Sequence, residues 1–465
     1  MDLIKTGIYE QVLYPPLDYP MIGYIQRTGR SQGTLDPLYV RALYMECSGT
    51  SAFLISCDFM ALRSDFCVHM SKQIEKETGV KASNIIICCT HTHSGPDTMA
   101  REQETEAYQQ WMAELSENIA ACAQKAMARK QLSRITLYKG NAAIQHNRVL
   151  SCSWGGKQGV QSWEMKNWDE RSPEVLQRFD EALSAMQAQN KNRLDDTLLL
   201  LRICPEAEPD NPSAFIVNYG CHPVSMRPDN LLYSADFPGY LNLSLKETWP
   251  HAAVMFINGC CGDINPNIRN GLQSARSNGE ALARCIHEML SQPGIELTGP
   301  MTLTEHALNL TYENDYDEYE LNRRLSIYQN GLEKAERDNL AEEERIYRTY
   351  INWVRKMLEK QKSGEAMHNI KTSVKLLRLN SFSLVALPFE LFSGVGLAVK
   401  QKLGSSTMIC AYAGGDYGYL ISEDLFDVSK YERFESYKFM MLPGPVCREA
   451  QSLLLNVLPA GDSDT

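Results

Sequence analysis

Residues 84–97 read NIIICCTHTHSGPD. Asn84–Cys89 is an unbroken apolar run, the mark of a central strand covered on both faces rather than one with a solvated side. It empties directly into a polar loop carrying His91 and His93. Outward from this segment, strand-like and helix-like stretches alternate. Upstream, Arg41–Cys47 and Ala52–Cys57 read as strands, followed by a helix over Ser64–Thr78 with apolar residues at helical spacing. Downstream, Glu102–Arg129 reads as a long amphipathic helix. Ile135–Lys139, Thr197–Cys204, Ala214–Asn218 and Ala253–Ile257 read as strands, with helices near Tyr240–Thr248 and Ser277–Leu290. The fold class is α/β, a mixed β-sheet core flanked by helices.

The strand-into-loop pattern recurs three more times. FIVNYG runs into CHPVS, VMFI into NGCCGDINP, and SLVAL into PFELFSG. In α/β proteins chemistry gathers in the loops at strand C-termini. Four apolar strands that each deliver a loop of candidate ligands therefore suggest one shared site. Two regions depart from the pattern. Ser151–Pro173 is rich in Gly and Trp and reads as a loop excursion near the site, a candidate lid. Tyr316–Lys362 is highly charged with helical spacing and reads as a helical hairpin insertion with a mostly solvated surface.

Bulk properties narrow the function classes. The chain has 465 residues, 44% hydrophobic and 22% charged, as expected of a globular protein. The net charge is -11 with no basic stripe, which argues against nucleic acid as a partner. No run approaches a membrane helix, and the N-terminus lacks a basic start followed by an apolar stretch. The 14 cysteines form no CxxC pair and lie mostly in apolar runs, reading as buried thiols in a reducing compartment. A cytoplasmic protein is expected. Its oligomeric state is not readable.

Each candidate residue has a plain reading beside the chemical one. In extended backbone His91 and His93 would point to the same side, and paired imidazoles suit zinc. If the backbone turns, one ligates and the other carries protons. His222, fixed beside Pro223, gains weight from His91 ending another such strand. Glu390 follows a buried strand and needs a partner, either a metal or the N-terminus of a helix over Leu391–Lys402. Tyr417 and Tyr419 would ordinarily be core or substrate contacts, since phenolate ligation needs a metal to lower the pKa. Arg148 reads as the end of the strand segment begun at Ile135, either steadying an oxyanion or pairing on the surface. Asp236 and Asp263 are turn-type aspartates or orienters of a ligand histidine. Cys260 and Cys261 are candidate nucleophiles with His222 as base.

Taken in order, YPPLDYPMIGYIQR, DPLYVRALYME, CTHTHSGP, HNR, NYGCHPVS, YSADFPGY, FINGCCGDINP, LPFE and YGYLIS resemble the neutral/alkaline (non-lysosomal) ceramidase family, specifically its N-terminal catalytic domain. The resemblance implies a single catalytic domain over residues 1–465 binding one Zn2+, with His91, His222, Glu390 and Tyr419 as ligands. It places His93 and Arg148 beside the metal as catalytic groups. Asn147, Asp236, Gly259, Cys260, Asp263 and Tyr417 fall at supporting or substrate-facing positions. Gly259 stands where the family has a serine thought to take part in catalysis. Against that resemblance, a chain without the family's leader and C-terminal immunoglobulin-like domain is expected. The expected activity is zinc-dependent hydrolysis of an N-acyl amide or related acyl compound by metal-activated water. The alternatives are a cysteine-nucleophile acyl hydrolase, esterase or lactonase at the same site, and a non-catalytic member that binds a small ligand.

Overall fold

Residues 4–99, 105–154, 157–161, 181, 193–313, 316–365 and 368–460 are described in a computed structural model of the chain. The main sheet runs, in spatial order, Ala253–Asn258, Ala214–Tyr219, Thr197–Pro205, Gln131–Asn141, Ile4–Leu13, Leu38–Cys47, Thr50–Cys57, Ile85–Cys89. Ile295–Leu297 adds a further short pairing to Gln131–Asn141. A second sheet orders Met301–Thr311, Asn369–Leu379, Phe382–Ala386 and Thr407–Cys410. Most neighbours are antiparallel. Three pairs within these two sheets are parallel: Thr50–Cys57 with Ile85–Cys89, Ala214–Tyr219 with Ala253–Asn258, and Phe382–Ala386 with Thr407–Cys410.

The buried runs explain the layering. Within each fully covered strand, alternate residues face opposite layers. Ile86, Leu54, Leu199, Ile216 and Met255 point to the second sheet and meet Leu377, Leu384 and Met408 there. Ile85, Ile87, Phe53 and Ile55 point the other way, onto Met70, Ile74, Leu115 and Ile119 of helices Ser64–Thr78 and Glu106–Ala128. Leu198, Leu200, Phe215 and Val217 likewise meet Leu241, Leu245, Leu282 and Ile286 of helices Phe237–Thr248 and Leu272–Leu290. Each such Ile or Leu contributes about 1.5–3 kcal/mol by leaving water.

The continuous apolar runs thus belong to an α/β protein with mixed sheets and flanking helices, as the sequence pattern indicated. Boundaries moved by a few residues. Helix Ser64–Thr78 falls where expected, and the long amphipathic helix spans Glu106–Ala128. The charged insertion forms helices Glu318–Arg337 and Ala341–Ser363, placed between two strands that pair with each other, Met301–Thr311 and Asn369–Leu379. Two expectations need correction. The segment begun at Ile135 does not carry Arg148: that strand ends at Asn141, and a separate strand Gln145–Asn147 pairs with Ile264–Pro266. The Gly- and Trp-rich excursion contains paired strands Ser151–Trp154 and Lys157–Gln161. Its residues 155–156 and 162–173, including most of the candidate lid, lie outside the described residues.

Candidate metal centre

The three parallel pairs deliver their C-terminal ends to one place, and two buried asparagines lock them together. Asn218 Nδ2 donates to Ile257 O (2.8 Å) and to Ile409 O in the second sheet (2.8 Å), while its Oδ1 accepts from Ile409 N (3.2 Å). Asn258 Nδ2 donates to Thr90 O (2.9 Å), and Asn258 O accepts from Ala411 N (3.0 Å). Gly414 N donates to Ile87 O (2.8 Å). A buried polar side chain survives only when its bonds are made. These two make theirs by tying backbone to backbone across the strand ends.

His91, His222 and Glu390 emerge from this junction. The backbone turns at His91, whose φ is +69°. A non-glycine residue in this left-handed region needs outside support. His91 has it: its N donates to Phe59 O (2.8 Å), its ring Nδ1 donates to Met60 O (2.8 Å), and Tyr412 stacks on it at 3.9 Å between centroids. His222 Nδ1 is likewise held by carbonyls, Ile264 O at 3.1 Å and Cys261 O. A carbonyl only accepts, so both Nδ1 atoms carry the proton and both Nε2 atoms present a lone pair inward. Each Nε2 lies 3.4 Å from Glu390 Oε2. His222 Nε2 and Glu390 Oε2 are buried without a hydrogen-bond partner among the described residues.

His93 joins this group on different terms. Its Nε2 is 3.3 Å from His91 Nε2, and the ligating atoms of His91, His93 and His222 all lie within 4.8 Å of one another. Its Nδ1 has no carbonyl anchor and is buried without a hydrogen-bond partner among the described residues. The ring is seated by the N-terminal segment instead. Tyr24 meets it edge-on at 5.2 Å, and Arg27 Nη2 donates to His93 O (2.8 Å). Gly23, at φ +118°, passes so close that a Cβ there would lie 2.6 Å from the ring.

Glu390 is no helix cap. It lies in a short strand paired in parallel register with Tyr419, and the following helix begins at Ser393. The Tyr419 hydroxyl accepts from Arg148 Nη2 (3.1 Å). Arg148 also donates from Nε to Glu432 Oε1 (2.9 Å) and from Nη1 to Asn265 Oδ1 (3.3 Å). It is therefore buried in the site rather than paired on the surface.

Burial sets the protonation states. It holds His93 well below its ordinary value, helped by His91 and His222, and lowers His222 to about 4, with Arg148 adding to the effect. Both imidazoles are neutral near pH 7. Burial opposes charge on Glu390, but His91 and His222 outweigh it and keep the carboxyl well below its usual range. Burial, then Glu390, raise the Tyr419 phenol, against Arg148. Burial opposes charge on Arg148 as well, yet Tyr419 and Glu432 prevail and the guanidinium stays protonated.

The remaining candidates support the site from outside the histidine group. Asp263 Oδ2 accepts from Asn147 Nδ2 (2.5 Å), its Oδ1 caps Ser393 N (2.7 Å), and its carbonyl accepts from Arg148 N (2.8 Å). Asp236 caps helix Phe237–Thr248 and accepts from Met226 N (2.9 Å). Among the described residues both aspartates take backbone amides, and Asp263 also Asn147, rather than His91 or His222, whose Nδ1 atoms are held by carbonyls. Tyr417 packs on Phe389 at 5.8 Å rather than on the histidines. Gly259 N bonds Tyr219 O (3.0 Å), and a Cβ at 259 would sit 3.2 Å from the Gly220 backbone. The serine's position is thus a tight backbone crossing here. The Cys260 thiol faces Gly396, while the Cys261 thiol sits 3.0 Å from the Tyr412 hydroxyl. Burial pushes both thiols far up, and His222 bonds the Cys261 carbonyl, not its sulfur. That geometry disfavours a cysteine nucleophile. Sequence reading missed Tyr412, Glu432, Asn218, Asn258 and the Gly23–Arg27 segment. Gly23–Arg27, Asn218 and Asn258 carried a signal only as parts of the YPMIGYIQR, NYGCHPVS and FINGCCGDINP stretches, whereas Tyr412 and Glu432 carried none.

Residues 10–289 match the family model described as neutral/alkaline non-lysosomal ceramidase, N-terminal, which covers more than half of the chain. The chain belongs to the neutral/alkaline non-lysosomal ceramidase family. Neutral ceramidase A of Dictyostelium discoideum is 26% identical over 287 residues, 57% of this chain. The match spans 36% of that relative's length. The neutral ceramidase of Pseudomonas aeruginosa superposes with a TM-score of 0.67 at 13% identity, over 99% of this chain and 76% of that one. A ceramidase complexed with C2 gives 0.68 at 13% identity, over 98% and 74%. At that identity the likeness is one of fold, and it extends over nearly the whole chain.

Proposed function

We propose that this chain is a zinc-dependent hydrolase of N-acyl amides, with one Zn2+ held by His91, His222, Glu390 and Tyr419. The observation that carries the reading is the buried convergence of His91 Nε2, His222 Nε2 and Glu390 Oε2. Two inward lone pairs and a carboxylate oxygen, all withheld from solvent, form a donor set that suits zinc. The carbonyl anchors on the two Nδ1 atoms are the usual outer support of ligand histidines. His93 lacks such an anchor, which separates it from the ligands despite its proximity.

When bound, a divalent ion at such a site polarises an acyl carbonyl and lowers the pKa of water. The chain's own groups do the rest. Neutral His93, with an Nδ1 unpartnered among the described residues, accepts a proton and returns it to the departing amine. Arg148, charged and buried, steadies the developing oxyanion or a polar group of the substrate. Family membership makes ceramide-type N-acyl amides the first substrates to assay, ahead of N-acyl amino acids, acylated sugars and lactones.

The test pairs two alanine variants. His91→Ala is expected to lose the metal and all measurable hydrolysis. His93→Ala should keep one metal per chain and lose about 10²–10⁴ in kcat. Metal-to-protein ratios and amide hydrolysis together decide. Hydrolysis surviving in His91→Ala at zero metal content would remove the mechanism.

A further inference from the structure

We propose that Glu432 is the positioning residue for Arg148. Glu432 is 1% exposed, and its Oε1 receives Arg148 Nε at 2.9 Å. Arg148 Nη2 meanwhile reaches the Tyr419 hydroxyl. A guanidinium is a rigid planar fork, so two bonds at separate nitrogens fix both its place and its tilt. With Nε released, the fork loses its shortest bond and its only charged partner among the described residues, and keeps the Tyr419 hydroxyl and the longer 3.3 Å contact from Nη1 to Asn265 Oδ1, two neutral acceptors that hold it less firmly. The Tyr419 and Tyr431 rings, 5.8 Å and 5.9 Å from the guanidinium carbon, do not impose an orientation by themselves.

What places Glu432 there is the charged insertion. Glu432 sits on a one-turn helix, Tyr431–Phe434, followed by another, Ser436–Phe439. Helices so short do not hold without tertiary support. The support comes from the hairpin's buried face. Trp353 Nε1 donates to Leu442 O (2.7 Å), the hydroxyls of Tyr316 and Tyr437 meet at 2.7 Å, and Tyr350 bonds Glu435. Tyr328, Tyr350, Trp353, Val354, Met357 and Tyr437 share one apolar cluster. The Ser436 hydroxyl closes the turn onto Glu432 O (2.7 Å). An insertion with a solvated outer surface therefore delivers a carboxylate to the metal centre on its inner side.

The kinetic consequence rests on the amidase reading, but the pairing itself does not, so two double-mutant cycles separate them. In kinetics, Glu432→Gln should lower kcat/KM at least about tenfold with metal content unchanged. In an Arg148→Met background the same change should alter it by less than about twofold, because Glu432 acts only through Arg148. In thermal unfolding, the Tm shifts of the two single variants should exceed that of the double variant when summed. Should Gln leave too little folded protein, Glu432→Asp keeps the charge, retracts the carboxylate by one methylene and reads the same effect at smaller size. Wild-type kinetics in both Glu432 variants, or an equal loss with and without Arg148, would overturn the proposal. If wild type proves to hydrolyse no amide, non-additive Tm shifts still uphold the pairing and the amidase reading alone fails. Additive shifts sink the pairing.

Discussion

His91 and His222 hang from strand ends whose backbone is locked from several sides, whereas His93 and Arg148 are held by side chains arriving from distant parts of the chain. The first pair takes its geometry from the sheets: each Nδ1 is anchored to a carbonyl. The second pair takes its geometry from Gly23, Tyr24 and Arg27 on one side and from Glu432 on the other. Under the proposed function, rigid metal ligation and adjustable proton or oxyanion chemistry would thus rest on separate supports. Perturbing one support should leave the other's function standing.

The strongest test of the rigid half is Asn218→Ala. The change removes two donors and one acceptor at once and strands Ile409 O and Ile409 N, which face away from their own ladder, in a dry interior. A cost of about 3 kcal/mol or more is expected, since each unsatisfied buried group costs about 1–3 kcal/mol. Metal affinity should fall with it, because the strand ends bearing His222 and Glu390 lose their tie. Denaturant unfolding and a metal titration check this. Unchanged stability would mean that the parallel pairs hold without the asparagine.

Asp263 lies between the halves, and pH sharpens its role. Burial raises its carboxyl to about 7, far above the ~3.9 of an unfolded aspartate. The folded state therefore binds the proton more tightly. The linked stability is fully present below the unfolded value and is lost as pH rises through about 7. Asp263→Asn removes that dependence. Relative to wild type, the variant should gain about 2 kcal/mol between pH 5 and pH 8, read from melts across that range. A constant difference would show that Asp263 is already ionised at pH 5.

The same division decides what was legible in the sequence. His91, His222 and Glu390 stood out because each follows an apolar strand, and strand followed by polar loop is a local pattern. Tyr419 was a weak candidate on spacing and became a ligand candidate only through resemblance, because its neighbour Glu390 lies 29 residues earlier (419 minus 390) and pairs with it through a two-residue strand. Glu432 was invisible. Its partner Arg148 is 284 residues away, and the turn that carries it owes its shape to the hairpin. The roles of Tyr412 and the two asparagines were hidden for a related reason: stacking and strand stitching follow from which strand ends meet, which no single segment encodes. The second sheet was half seen. Phe382–Ala386 reads as an apolar run, but in Met301–Thr311 the apolar residues change phase, from Met301 and Leu303 to Leu308 and Leu310 with Glu305 and His306 between, so no single alternation runs through it.

Gly23→Ala probes the adjustable half with the smallest change. A glycine at φ +118° tolerates a backbone course that alanine resists, and the added Cβ would lie 2.6 Å from the His93 ring. Either the ring or the segment must move. Strain of about 1–2 kcal/mol is expected in stability, with a rate loss of about tenfold, since displacements near 1 Å at a reacting group cost on that scale or more. Metal content should not change, because neither carbonyl anchor touches Gly23. Metal loss in Gly23→Ala would show that His93 ligates after all, and the separation between the two supports would disappear.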